Sequence, residues 1–300
     1  MKANLRTGVP EDASACGLIL FEVFKAIGDQ HNFPWDFPSA HNATRVATML
    51  LAHAGFYSVI PEMGGKVVGS NFLDERNPIA GIGPITVDPS VQNQTVGRQL
   101  MLAVIERAAQ CKFAGVRLVQ AVYHNRSLCR ITKLGFATRE TISEMDGVPV
   151  GKPLAGYEVR PATDSDRATC NGLCLRIHGH HRDGELRDGI KAGTAKVVEY
   201  LGRVTGYATD IAFYAHPVGA TNEEIIALIA SASDLSSKGG VLVPTRNGEL
   251  FRWRLNNALR LVHQMTLMTT GLYSEPEGTL TCRRSFIDEA LIFAIRALRS

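Results

Sequence analysis

The chain has 300 residues, 45% of them hydrophobic and 20% charged, with a formal net charge of +3. That length suffices for two domains of ordinary size, each with its own core, and the composition excludes a disordered chain. The small positive balance makes no case for nucleic acid as a partner, although it can help draw in an anionic ligand. Cys16, Cys111, Cys129, Cys170, Cys174 and Cys282 form no Cys-x-x-Cys pair, so thiols in a reducing compartment are expected, with no disulfide framework and no zinc site. The opening MKANLRTGVPEDA lacks the apolar core of a signal peptide and no apolar run reaches membrane-spanning length, so a cytoplasmic location with no membrane partner is expected.

Residues 4–9 read as a first strand, after which Pro10-Glu11-Asp12 opens a helix with proline and acids in its first turn. A loop from Asp29 to Pro38 follows, mixing His31, Phe33, Trp35, Asp36 and Phe37 with prolines, a composition suited to a binding surface. Residues 43–54 form a second helix, and 56–60 with 66–73 make a hairpin around Gly64-Gly65.

The organising stretch is Gly83–Met101, GPITVDPSVQNQTVGRQLM. Ile85 and Val87 alternate with Thr86 as the end of a buried strand, and Asp88-Pro89-Ser90 supplies a turn. Val96, Leu100, Val104 and Ile105 then fall at helical spacing. A strand, a tight polar turn and a helix start form an anion site, because the first N–H groups of a helix have no intrahelical partner. Gly97 allows close backbone approach and Arg98 adds positive charge. A buried strand at 116–122 and the segment HNRSLCRITKLGF, His124–Phe136, follow.

Gln92 through Gly97 resembles the acetyl-CoA pyrophosphate motif of the GNAT acetyltransferases, with Thr95 where that motif expects its middle glycine. Lys133-Leu134-Gly135-Phe136 resembles the same family's second signature, at the family's relative spacing. The resemblance implies an α/β (α+β) fold whose central sheet is mixed, mostly antiparallel and flanked by helices. It also implies acetyl-CoA as co-substrate, with Ile85, Thr86, Val87, Gln92, Asn93, Gln94, Thr95, Val96, Gly97, Arg98, Asn125 and Ser127 contacting it, and a backbone N–H near Val87 facing the thioester oxygen. Ile131 occupies the slot where many members place a general-acid tyrosine, and His124 the slot of an asparagine that often contacts the cofactor.

Past Gly156 the pattern restarts: VRPATDSDRA (159–168) echoes LRTGVPEDA (5–13), and GRVTG (202–206) echoes GKVVG (65–69). Two tandem GNAT-like domains are therefore expected, a catalytic one over 1–148, a linker over 149–156, and a degenerate one over 157–300. The second copy carries HPVGATNEE (216–224) where the cofactor turn should lie, and its acids would repel a pyrophosphate. His178, His180 and His181 sit in a segment with flanking arginines and no helical histidine pair or cysteine partner, so a polar loop is expected there and no metal. The tail from Gly271 to Pro276 resembles tandem relatives, but Leu280–Ser285 reads like a one-base slip in codons for Thr-Tyr-Leu-Pro-Ser. A frameshifted end is expected, with Phe286, Leu291, Ile292 and Ile295 still permitting a terminal helix.

Acetyl transfer to an amine needs alignment, loss of an ammonium proton and stabilisation of the carbonyl oxygen. Glu75 is the first choice for the base, ahead of Asp74, Asp88 and His124. The leaving thiolate would take its proton from solvent, or from Tyr123, Cys129 or Thr132. His31, Trp35 and Asp36 are expected to hold the acceptor, since aromatic faces and a carboxylate suit a cation. The expected function is N-acetylation of a primary amine on a small molecule, an amine metabolite or aminoglycoside-type antibiotic, by direct transfer in a ternary complex. The alternatives are an acyl-CoA-binding regulatory module with little or no turnover, and a protein acetyltransferase. A small-molecule amine and acetyl-CoA are the expected partners, with a homodimer as a further expectation.

Overall fold

The computed structural model describes residues 3–92, 94–150, 152, 154–213, 215–236 and 239–274. In chain order the first copy contains β1 (Asn4–Thr7), α1 (Ala13–His31), α2 (Ala40–Ala52), β2 (Phe56–Met63), β3 (Lys66–Val67), β4 (Gly69–Asp74), β5 (Ile79–Ile82), β6 (Thr86–Val87), α3 (Val96–Gln110), β7 (Gly115–Ala121), α4 (Asn125–Thr132) and β8 (Ala137–Asp146). The second contains β9 (Tyr157–Pro161), α5 (Arg167–His178), α6 (Asp183–Ala192), β10 (Lys196–Tyr200), β11 (Arg203–Ala208), β12 (Pro217–Gly219), α7 (Asn222–Ala230), β13 (Val241–Pro244), α8 (Gly248–Asn256) and β14 (Arg260–Gly271). Asn93 and residues 275–300, including the expected frameshifted end and terminal helix, lie outside the described residues.

Period-two alternation decides which helices cover which face of the first sheet. Phe72, Val119 and Leu267 pack with Leu20, Val46 and Leu50 of α1 and α2. Their neighbours Leu73, Leu118 and Met268 pack with Leu100 and Val104 of α3 and Ile131 of α4. The second copy repeats the arrangement, with α5 and α6 on Val197 and Tyr207, and α7 and α8 on Val198 and Ala208.

The internal repeat is visible atom by atom. The Arg6 guanidinium donates to both oxygens of Asp12 at 2.7 Å, while its Nε donates to Glu62 at 2.9 Å. Arg160 does the same to Asp166 at 2.8 and 2.9 Å and to Glu199 at 2.8 Å. Asp12 and Asp166 also accept from the backbone N–H groups of Val9 and Thr163, fixing the turn that opens the first helix of each copy. The bonds from Arg6 and Arg160 hold both carboxyls below the usual carboxylate range. A carboxyl so depressed stabilises the fold above its unfolded pKa of about 3.9, and that stabilisation fades as pH falls toward the folded value. Asp12→Asn combined with Asp166→Asn is expected to lower the urea midpoint at pH 7, with the gap from wild type shrinking at pH 3.

The two copies exchange their last strands. The main sheet runs β1-β2-β4-β5-β7-β14-β8-β13, and a separate sheet runs β12-β11-β10-β9. β14, from the second copy, lies antiparallel between β7 and β8. β8, from the first copy, lies antiparallel between β14 and β13. Each copy thus fills the gap in the other. The division expected at 1–148 and 157–300 follows chain order, but the sheet does not: β13 and β14 share a sheet and a core with the first copy, including Leu242, Met265 and Leu267. Backbone pairing is non-local, so chain order alone does not show which sheet a strand completes. Among the described residues no helix is long and apolar enough to cross a membrane.

Candidate active site

β5 and β7 run parallel only where Ile79, Ala80 and Gly81 face Gly115, Val116 and Arg117. Beyond that point β6 turns away to pair with β4, Val87 facing Gly69 and Thr86 facing Ser70. The strands therefore splay, and a cavity of about 830 Å³ opens between them. That volume is within the range of small-molecule and cofactor sites.

At one end of the cavity lie Gln92, Thr95, Val96, Gly97 and Arg98, with Arg126, Arg130 and Lys133 on or just beyond α4 completing a cationic rim. Asp88 builds the turn, accepting from the Ser90 N–H at 2.8 Å and the Ser90 hydroxyl at 2.6 Å. A Cβ on Gly97 would meet only Val87 Cγ2, at 3.6 Å, so this glycine is not required by packing. Thr95 adopts the left-handed conformation at φ 66 and ψ 0, immediately before α3. A β-branched residue is strained there, at a cost of about 1–2 kcal/mol. Thr95→Gly is accordingly expected to raise stability by roughly 1 kcal/mol, read as a higher denaturation midpoint. The cradle, the helix start and the cationic rim fit the diphosphate of a coenzyme A thioester.

The other end is built from both copies. His31 ends α1 and lines the cavity with Asp36, Gln120, Tyr123, His124, Glu144, Phe213, His263 and Met265. Tyr123 stacks on Phe33 with ring centroids 4.3 Å apart and lies 5.0 Å from His31. Burial, together with the charges of Asp36 and Glu144, raises the Tyr123 phenol well above its ordinary value, so it stays protonated. His124 Nδ1 shares a 2.6 Å hydrogen bond with Ser127 Oγ. Burial and the nearby His31, Arg126 and Arg130 lower the His124 pKa, so the ring is neutral at neutral pH. His263 Nδ1 is 2.7 Å from Glu144 Oε2, and both groups are buried.

Of the residues expected from sequence, Ile85, Val87, Gln92, Thr95, Val96, Gly97, Arg98, Tyr123, His124, Asn125, Ser127, His31 and Asp36 line the cavity. Asn93 lies outside the described residues, and Gln94 is exposed away from the lining. Thr86 is buried against Ser70, their hydroxyls 3.1 Å apart. Two expectations are corrected by geometry. The Glu75 carboxylate is clasped by Arg107 on α3, with donors at 2.7 and 3.0 Å, and does not line the cavity. Trp35 likewise stands outside the lining, its indole N–H donating to Asp29 at 2.6 Å and Lys25 over its ring at 4.4 Å. Glu144, His263 and the α4 cations escaped the sequence reading. A signal existed for the first: Glu144 follows Ile142 at the core-facing period of a strand.

Among the described residues of the second copy, a small pocket of about 10 Å³ is lined by Ile211, Leu228, Ile229 and Arg254. Thr221 and Glu224 cap α7 reciprocally, with Glu224 accepting from the Thr221 N–H at 2.6 Å. The expected polar loop is instead partly core, since His178 and His180 are buried and only His181 is exposed. Cys174, one helical turn before His178, together with His216 forms a group whose ligand atoms lie within 4.8 Å of one another. Arg182 donates to His216 Nδ1 at 2.7 Å, so the neutral ring carries its proton on Nε2, facing Cys174 Sγ at 3.7 Å. The Arg182 charge and that proton both oppose a cation.

The splayed strand pair thus opens a cleft with a cationic rim at one end and titratable groups at the other. Residues 22–136, little more than a third of the chain, match the model of the Acetyltransferase (GNAT) family. A search of the curated proteins found no match. Among solved structures, a candidate acetyltransferase from Pyrococcus horikoshii is similar at 15% identity and TM-score 0.68, covering 92% of each chain. A GCN5-related N-acetyltransferase from Sphaerobacter thermophilus is similar at 15% identity and TM-score 0.57, covering 91% of this chain and 96% of its own. A tandem GNAT protein from the clavulanic acid biosynthesis pathway is similar at 11% identity and TM-score 0.55, covering 90% of this chain and 98% of its own. At these identities the likeness is one of fold.

Proposed function

We propose that the chain moves the acetyl group of acetyl-CoA to the primary amine of a small cationic molecule, such as an amine metabolite or an aminoglycoside-type antibiotic, by direct transfer in a ternary complex. The observation that carries this reading is the continuity of one cavity, cationic at the turn before α3 and lined by Asp36 and Glu144 at the far end. When bound, acetyl-CoA supplies the activated thioester. Gly97, the start of α3, Arg98 and the α4 cations would hold its diphosphate. Asp36 would hold the acceptor's positive charge, and the stacked Phe33–Tyr123 pair would offer an aromatic face. The Tyr123 hydroxyl, kept protonated at the cavity wall, would give a proton to a leaving thiolate.

Calorimetry with coenzyme A, then a panel of primary amines with released thiol as the readout, tests this reading. Absence of coenzyme A binding would end it. Ile131 in the slot of the family's usual acid favours a second reading, an acyl-CoA-binding module without turnover. Tight coenzyme A binding with no thiol release from any amine would select that alternative.

A further inference from the structure

Glu144 and His263 face each other in register on β8 and β14, the two exchanged strands. A carboxylate only accepts hydrogen bonds, so the 2.7 Å contact between Glu144 Oε2 and His263 Nδ1 has the imidazole donating from Nδ1. The basic lone pair of the neutral ring is then on Nε2. Both residues line the cavity beside Tyr123, whose ring centroid is 6.2 Å from that of His263, and Phe33, at 5.1 Å. Other charged or titratable groups around them are Tyr123 and His124 after β7, and His31 and Asp36 from α1 and the loop beyond it. His263 has a ring nitrogen held by a buried carboxylate, the arrangement that orients a general base.

Resting on the proposed acetyl transfer, we propose that His263, positioned by Glu144, accepts the proton of the acceptor ammonium, so that the second copy supplies the base for the cofactor site of the first. The ammonium loses one proton to His263 Nε2, which passes it to solvent. The freed amine nitrogen forms a bond to the acetyl carbon as the carbon–sulfur bond breaks, and its second proton goes to the departing thiolate through Tyr123. Acetylated amine, thiol and one released proton balance the reaction. Glu144 is a positioning residue, since it acts through the imidazole.

The test uses the full chain, coenzyme A, acetyl-CoA and the best amine of the panel. His263→Gln is expected to bind coenzyme A as wild type does and to lose about 100-fold in kcat, with the acid limb of the kcat–pH profile abolished. Glu144→Gln removes the charge that favours the imidazolium, so the His263 titration followed by NMR, without any ligand, moves to lower pH. The acid limb of kcat is expected to move with it, while KM for acetyl-CoA stays unchanged. Retained coenzyme A affinity shows that a variant is folded. Wild-type kcat and an unchanged acid limb in His263→Gln would overturn the assignment while leaving acetyl transfer intact. Failure of wild type to bind coenzyme A, or to acetylate any amine, would remove the transfer reading and this role with it.

Discussion

Gly97→Asp is expected to weaken coenzyme A binding about 1000-fold, equivalent to about 4 kcal/mol, while leaving the thermal midpoint of the protein essentially unchanged. The two effects separate because packing does not demand this glycine: among the described residues, an added Cβ would meet Val87 Cγ2 alone within 4 Å, at 3.6 Å. An acid in the first turn of α3 also suits the helix dipole, so the fold accepts the change. The same charge placed against a diphosphate repels it and blocks close backbone approach. Gly97→Ala should fall between, about 10-fold weaker, because a methyl group obstructs without repelling. Isothermal titration with coenzyme A checks both variants. Wild-type affinity in Gly97→Asp would place the anion elsewhere.

The largest effect on stability is expected at Arg76, where the copies meet. Its guanidinium donates to Asp74 at 2.6 and 2.9 Å and reaches across to Asp188 at 2.9 Å, while Glu185 lies 3.7 Å away. The Arg76 and Asp74 side chains are almost wholly buried, and the surrounding carboxylates hold the guanidinium charged. Backbone approach is close enough that a Cβ on Gly184 would collide with the Arg76 carbonyl, and the Gly184 N–H donates to Asn77 at 3.2 Å. Arg76→Met leaves Asp74 as a buried carboxylate stripped of its cation, at a cost of about 3–5 kcal/mol. For a chain of this size that is a drop of roughly 10 °C in thermal midpoint. The penalty should be smaller at pH 4 than at pH 8, because acid favours neutralising the stranded, buried carboxyl. Adding Asp74→Asn should recover part of the loss at pH 8. No recovery would show that the deficit comes from lost packing on Phe56, which the guanidinium overlies at 4.8 Å.

Local chemistry explains what could be read from residues alone. Pro10 and Asp12 open the first helix, and Gly64-Gly65 turn the hairpin, because each acts on its own stretch of backbone. The turn at Asp88–Ser90 and the start of α3 were legible for the same reason. Glu75 was misplaced because closeness in sequence to the cleft does not fix which way a side chain faces. It leaves the strand end toward α3, where Arg107 meets it. In the segment 29–38 the helix runs on to His31, which brings that ring into the cavity, while Trp35 closes back onto Asp29. His263 was out of reach because its role depends on a cross-strand partner 119 residues away. Alternation in Arg260–Gly271 suggests a strand, but nothing local says which edge it will join.

The strand exchange also dictates the order of events during synthesis. When the ribosome has released residues up to Asp146, β7 and β8 both exist, but the strand that belongs between them is still more than a hundred residues from being made. The amino-terminal portion must therefore wait with an unzipped gap in its sheet, its apolar faces vulnerable to chaperone capture or self-association, until β14 emerges. An engineered split between the copies would yield two fragments that each need the other to mature, and co-expression should rescue what neither achieves alone.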